Sequence, residues 1–317
     1  MVTRRGLSQE SAPLKQMLGV QEALVLFSEV VLSGYPLLIK LVDTSVFFQV
    51  GLRMAVFTGM AALASLVTAV PLPAIGSLLT AETAAVGVLN LVHVAGSYVG
   101  FEQLAGGNAM ALFYTYPIFN ILGAALAFGE RIPLTSLPWI ALAAAGAVAL
   151  SAPTAVNWTA VGVVGALVAA LTETGIYLWF KQHEAGDEPA EGAKEHKETP
   201  WRKMMQMYGA SGVFWLVGAA IAVAIGWIGS QTFRVGSGGL SSILLFNAIV
   251  GFGGYALRFF LIPRVSTVIF SALSFFGVIS AYLLSWMFAG EVPSLTQMLG
   301  AVAIMVANAV LVTRESV

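Results

Sequence analysis

The sequence predicts an all-α integral membrane protein with ten transmembrane helices arranged as two inverted five-helix repeats. Three observations lead there. The 317 residues are 58% hydrophobic and 10% charged, with a mean hydropathy of +0.86, whereas a soluble domain carries about 25% charged residues. The apolar residues fall into runs of roughly the 20 residues that a helix needs to cross about 30 Å of hydrocarbon. Features of the first half also return in the second: Gly129-Glu130 followed by Pro133 is echoed by Gly290-Glu291 followed by Pro293.

The runs lie at 17–40, 46–69, 82–103, 106–128, 134–152, 158–181, 202–228, 241–262, 265–289 and 293–313. Each is continuously apolar for far longer than the roughly 9–11 alternating residues of a barrel strand, so helices follow rather than strands. Residues 1–16 are polar and enter the first run without a small-residue cleavage motif, so they are expected to remain as a cytoplasmic tail. The first repeat is expected at 17–152 and the second at 158–313. The one substantial hydrophilic loop, 182–199, mixes Glu and Lys with Gly, Pro and Ala, as a disordered linker does.

Lys and Arg in short loops and tails set orientation. With the N-terminus inside, the cytoplasmic side collects Arg4, Arg5, Arg131, Lys181, Arg264 and most other cations, while the far side receives Lys40 and Arg234. Both termini are therefore expected in the cytoplasm. Ala, Gly and Val richness points to a prokaryotic plasma membrane.

The repeat signal has three parts. Ser33-Gly34 and Lys40 match Thr174-Gly175 and Lys181; Asn90, Gly96 and Tyr98 match Asn247, Gly253 and Tyr255; Gly129-Glu130 matches Gly290-Glu291. The offsets are 141, 157 and 161, and the jump after the first is the size of the linker. Because each half has an odd number of spans, the second copy enters the membrane from the opposite side, as in many secondary transporters.

Ionisable groups at membrane depth are functional candidates, because they are costly unless paired or wetted. Glu29 lies mid-span one, Arg53 two turns inside span two, His93 mid-span three, and Glu173 and Arg258 in the inner halves of spans six and eight. Glu22 and Glu102 sit nearer the interfaces and read as helix-end residues. Depth matching puts Glu29 and Arg53 roughly 6 Å apart along the membrane normal, which predicts a pair serving either to fix two helices or to bind and gate. Glu173 is either a proton acceptor, or a carboxylate that faces a wet inner vestibule or pairs with Arg258. His93 titrates near physiological pH and is either proton-linked or a satisfied packing residue.

On span four, Tyr114, Tyr116 and Asn120 are candidate cavity residues. Tyr116 and Asn120, four apart, share a face. Pro117 removes a backbone hydrogen bond and permits a bend, freeing a carbonyl that needs a partner or water in lipid. Ser271, Ser274 and Tyr282 on span nine, and Tyr98 and Tyr255 on spans three and eight, are candidates to face it. The paired Asn90 and Asn247 read more readily as structural hydrogen bonds, and the serines as small-residue packing. Spans five and ten are nearly free of ionisable groups, so packing is their expected role.

The ordered set of ten helices, Arg53 in the second, a fourth span YTYPIFNILGAALAFGERIP and a ninth ending SWMFAGEVPS resembles the drug/metabolite transporter superfamily, especially its EamA-like members. The likeness covers nearly the whole chain. It departs where Val278 stands against Pro117 and Phe214 against Arg53. The resemblance implies alternating access, with helices four and nine beside a central cavity and helices five and ten as a supporting or dimer-like edge.

The residues exclude several other functions. There is no cysteine, and no HisxxxHis, HisxxGlu or paired-carboxylate spacing accompanies His93, so neither a metal nor a cofactor is expected. No GxxxxGK[ST] run is present, which excludes ATP as the direct energy source, and no nucleophile–base set points to an enzyme. Near-zero net charge gives no field for nucleic acid. The expectation is a secondary active transporter of a small polar metabolite, such as an amino acid, with proton coupling and exchange both open. Its partners would be that substrate and the bilayer, in a monomer or homodimer. The alternatives are a multidrug or organic-cation exporter, a nucleotide-sugar or phosphorylated-metabolite exchanger, and a membrane scaffold or receptor without transport.

Overall fold

The computed structural model describes residues 11–42, 44–150, 159–185, 200–233, 235–236, 239–290 and 292–315. Most of the expected tail 1–16, most of the expected linker 182–199, and Glu291 of the second Gly-Glu pair lie outside the described residues. Among those described, every named element is helical, and the one β contact is an isolated bridge between Thr44 and Val235.

The helices are α1 (Ser11–Leu32), α2 (Tyr35–Leu41), α3 (Val46–Val67), α4 (Ala81–Gln103), α5 (Gly106–Phe113), α6 (Tyr116–Phe128) and α7 (Leu137–Leu150). There follow α8 (Ala160–Ala185), α9 (Pro200–Ala224), α10 (Gly239–Phe246), α11 (Phe252–Leu261), α12 (Thr267–Ser274), α13 (Phe276–Ala289) and α14 (Leu295–Glu315). Several are halves of one span, and eight segments are long and apolar enough to cross a membrane: Gly19–Lys40, Val46–Val67, Ala81–Gln103, Gly106–Phe128, Ala160–Gln182, Pro200–Ala224, Gly239–Leu261 and Thr267–Phe288. Two shorter apolar helices, Leu137–Ala149 and Leu295–Ala307, coincide with the fifth and tenth predicted runs. α8 continues to Ala185, beyond the predicted loop start at 182.

Local chemistry explains the ends. Ser45, Thr80 and Ser266 cap α3, α4 and α12, each accepting from a backbone N–H three residues on. Gly129 ends α6 at φ 66° and Gly290 ends α13 at φ 69°, a left-handed conformation that glycine adopts without the Cβ penalty. This accounts for the glycine in the repeated Gly-Glu signature.

Four spans are irregular inside. The first breaks at Ser33-Gly34 ahead of Pro36, and the fourth at Tyr114-Thr115 ahead of Pro117, where a missing N–H does least harm at the start of the following helix. The eighth contains a π turn, Asn247–Gly251. The ninth breaks at Phe275 although it has no proline. The expectation that Pro117 sets the fourth span apart from the ninth is therefore corrected. In the ninth span the break coincides with a close approach instead: a Cβ on Gly277 would overlap the Tyr114 ring, and one on Gly107 would overlap the Tyr282 ring. The two broken spans thus seat tyrosines on each other's glycines.

Small residues bring the helices together elsewhere. α4 lies between α8 and α9. On its α8 side, a Cβ on Gly96 would come within 2.8 Å of the Gly165 carbonyl oxygen, and a Cβ on Gly165 equally close to that of Gly96. α7 packs on α14, where a Cβ on Gly146 would stand 2.7 Å from the Gly300 carbonyl oxygen. α1 packs on α11, α12 and α13. Polarity is inverted relative to a soluble protein: Leu126, Ile75 and Trp227 are exposed, whereas Glu29, Arg53, Glu173 and Arg258 are buried. That arrangement suits a hydrocarbon surround and a polar interior.

Candidate functional site

Four charged or titratable side chains from four helices form one chain of contacts at the centre. Glu29 on α1 meets Arg258 on α11, Oε1 to Nη1 at 2.6 Å. The other arm of the guanidinium, Nη2, lies 2.9 Å from Oε1 of Glu173 on α8. Oε2 of Glu173 stands 3.3 Å from Nε2 of His93 on α4, whose Nδ1 is 3.1 Å from the Ala169 carbonyl oxygen. All four residues are at most 1% exposed.

Hydroxyls from the two broken spans complete the first carboxylate. Tyr114 donates to Glu29 Oε2 at 2.8 Å and Tyr116 donates to it at 3.4 Å, while Tyr116 accepts from Arg258 at 2.9 Å. Ser274, the last residue of α12, donates to Glu29 Oε1 at 3.1 Å. The interruptions in α5–α6 and α12–α13 therefore face a carboxylate on α1. Arg258 also lies over the Tyr116 ring, 4.7 Å from its centroid, a favourable place for a cation.

Arg53 is elsewhere. Its guanidinium sits among aromatic rings, 4.7 Å from the centroids of Tyr35 and Tyr255, 4.9 Å from Phe57 and 5.8 Å from Tyr98. No carboxylate lies within ion-pair distance of it among the described residues, and its Nε and Nη2 have no hydrogen-bond partner. A small cavity lies between the two centres, lined by Arg53 and Arg258 with Tyr35, Ser97, Tyr114 and Tyr255. It has space for about one water molecule.

The predicted Glu29–Arg53 pair is therefore corrected: Glu29 pairs with Arg258, 229 positions away. Matching depths fixes separation along the membrane normal but not direction around the helix, and α1 packs on α11, α12 and α13. Of the readings of Glu173, the geometry shows the contact with Arg258, at 2.9 Å, and the carboxylate is buried. Tyr98 and Tyr255 belong to the aromatic box around Arg53. Tyr282 donates to Asn108 at 2.7 Å and is joined by Gln297 at 3.1 Å, which ties α13, α5 and α14 together away from the charges. Asn120 is buried with no partner for either amide atom, and it touches neither centre by hydrogen bonding.

The paired asparagines hold helices together. Asn90 donates to Ser211 at 2.9 Å, and Asn247 accepts from Tyr35 at 3.2 Å while donating to the Ile243 carbonyl at 2.9 Å. Sequence reasoning missed Tyr35, Phe57, Asn108 as a contact of Tyr282, and Gln297. Aromatic or amide residues inside apolar runs were the available signal, but nothing in the sequence says which way they point.

At one end of the bundle, Lys181 of α8 forms an ion pair with Glu130 at 2.6 Å and also bonds the Thr267 hydroxyl, which accepts from Tyr177 at 3.0 Å. The glutamate of the Gly-Glu signature thus latches the end of α6 to α8 beside the start of α12. Among the described residues no group of three metal-ligating side chains comes together.

Fold and site define the class first: an integral membrane protein with a charged, fully buried centre between interrupted helices. Residues 202–313 match the model of the EamA-like transporter family, part of the drug/metabolite transporter superfamily, in line with the resemblance carried by the motifs. A solved structure described only as "Crystal structure of protein" superposes with a TM-score of 0.66 at 15% identity, covering 93% of this chain and 97% of that one. At that identity the likeness speaks for the fold alone. A comparison with curated proteins gave no match.

Proposed function

We propose that this protein is a secondary active transporter that moves a small polar metabolite, an amino acid or similar, by alternating access. The observation that carries the reading is the buried chain Glu29–Arg258–Glu173–His93, flanked by hydroxyls from two interrupted spans. Removing one partner from a buried ion pair costs about 3–5 kcal/mol, because it strands the other charge. A network of this kind therefore rearranges readily only when an incoming group replaces the contact that is broken. A substrate ammonium or a proton at Glu29 or Glu173 would do so, and that exchange couples binding to helix movement.

Architecture supports the same reading. The two shorter apolar helices are taken as crossings, giving ten spans in two inverted repeats at 17–152 and 158–313. The matched breaks near Tyr114 and Phe275 and the matched left-handed glycines, Gly129 and Gly290, support the duplication. Both termini are placed in the cytoplasm, in a plasma membrane. The Lys181–Glu130–Thr267 cluster would then close the cytoplasmic end.

Counterflow in proteoliposomes tests the proposal. Internal unlabelled amino acid should accelerate uptake of the labelled compound, and Arg258→Gln should abolish the effect. Flux unaffected by internal substrate would point to a channel, and no flux of any metabolite to a scaffold or receptor.

A further inference from the structure

We propose that Arg53 and its aromatic box form a carboxylate subsite, which makes the cargo a small zwitterion held at both ends. This rests on the transport reading and assigns the two ends of the substrate within it. The guanidinium is 1% exposed, and its Nε and Nη2 donors have no hydrogen-bond partner. The hydroxyls of Tyr98 and Tyr208 face Arg53 closely enough to interact with it, but neither completes a hydrogen bond of good geometry. Buried donors left unmade are expensive, and a guanidinium has no acceptor of its own. The neighbouring phenols can accept from part of the fork, and a further group that satisfies the open Nε and Nη2 donors has to be an acceptor. A planar carboxylate matches the fork of the guanidinium with two parallel hydrogen bonds. The rings of Tyr35, Phe57 and Tyr255 surround a cation that no carboxylate among the described residues pairs with.

Charge balance selects the other end of the ligand. With His93 neutral, Arg53 and Arg258 cancel Glu29 and Glu173, so a bare carboxylate would leave the centre one negative charge in excess. The cavity that Arg53 lines reaches Arg258 and Tyr114, and these contact Glu29 directly. An ammonium on the same small molecule is thus answered by Glu29 or Glu173 while its carboxylate rests on Arg53. The cavity holds space for about one water as it stands, so loading requires the helices to part, as alternating access provides.

The test uses the full-length chain in lipid nanodiscs with L-leucine, L-phenylalanine and L-glutamine, each paired with its α-carboxamide, in which the carboxylate is replaced by a neutral amide. At least one amino acid should raise the melting temperature while its amide at equal concentration does not. Arg53→Gln should raise the concentration giving half the effect by about tenfold or more, with Arg53→Lys intermediate because it keeps charge without the fork. If Arg53→Gln does not fold, Tyr208→Phe and Tyr98→Phe keep the rings, and each should weaken the acid by several-fold while leaving the amide unchanged. Equal response to acid and amide, unchanged binding in Arg53→Gln, or no acid stabilising the wild type would each overturn the subsite. Counterflow separates the two readings. If the amide is carried while acid selectivity is absent, the subsite falls and transport stands; Arg53-dependent stabilisation without flux of any probe does the reverse.

Discussion

The partner of Glu29 can be established by coupling energies. Glu29→Gln removes a carboxylate that accepts from Arg258 at 2.6 Å, Tyr114 at 2.8 Å and Ser274 at 3.1 Å. Arg258 keeps Glu173 at 2.9 Å and the Tyr116 hydroxyl at 2.9 Å, so the loss falls at the low end for a broken buried pair, about 3 kcal/mol. Arg258→Gln strands two carboxylates and should cost more, about 5 kcal/mol. Combining the two removes the stranded charge at Glu29, so the double variant should be about 1–3 kcal/mol more stable than the sum of the singles. The control cycle is Glu29→Gln with Arg53→Gln, whose coupling should be smaller by at least about 1 kcal/mol. Thermal unfolding in detergent, followed by size-exclusion chromatography, reads these differences; about 3 kcal/mol corresponds to roughly 6–12 °C for a protein of moderate size. Coupling of Glu29 to Arg53 equal to or larger than that to Arg258 would refute the arrangement.

Other substitutions probe other features. Gly277→Ala places a Cβ inside the Tyr114 ring and should destabilise by about 1–3 kcal/mol or more, whereas Gly253→Ala, with nothing within 4 Å of the added atom, should leave melting unchanged or raise it. Gly129→Ala forces a side chain into φ 66° and should lower stability by about 1–2 kcal/mol, measured in the same unfolding assay. At the latch, Lys181→Met and Glu130→Gln should alter counterflow rate by similar factors, and the double variant should match either single; independent, multiplying effects would show that the 2.6 Å pair does not act as a unit.

Much of the fold was legible because bilayer physics leaves few choices. An apolar run of the right length becomes a helix whatever it packs against, so the spans could be read from 46–69, 82–103 and their like. The Gly-Glu repeat was legible for a local reason, the left-handed cap at Gly129 and Gly290. The site was legible only in its members. Glu29, His93, Glu173 and Arg258 stood out by being ionisable at depth, and they converge. Which of them touch depends on helix rotation and on which spans are neighbours, and here α1 lies against α11. Arg53 shows the same limit: its depth was readable, but the ring cage came from four different elements. The break at Phe275 had no local signal, since it coincides with a tyrosine on another helix resting over Gly277.

The central layer has an electrical consequence. Two guanidinium groups and two carboxylates are buried together, and with His93 taken as neutral they sum to no net charge. An elementary charge carried across a membrane at 100 mV exchanges about 2.3 kcal/mol with the field, so under the proposed alternating access an empty carrier with a neutral core would return without doing electrical work. Loaded with the proposed zwitterion it would be equally indifferent to voltage, and transport would run on concentration alone. A proton carried alongside would change that, making every cycle move one charge. Current recorded from the reconstituted protein therefore reports directly on whether a proton travels with the cargo.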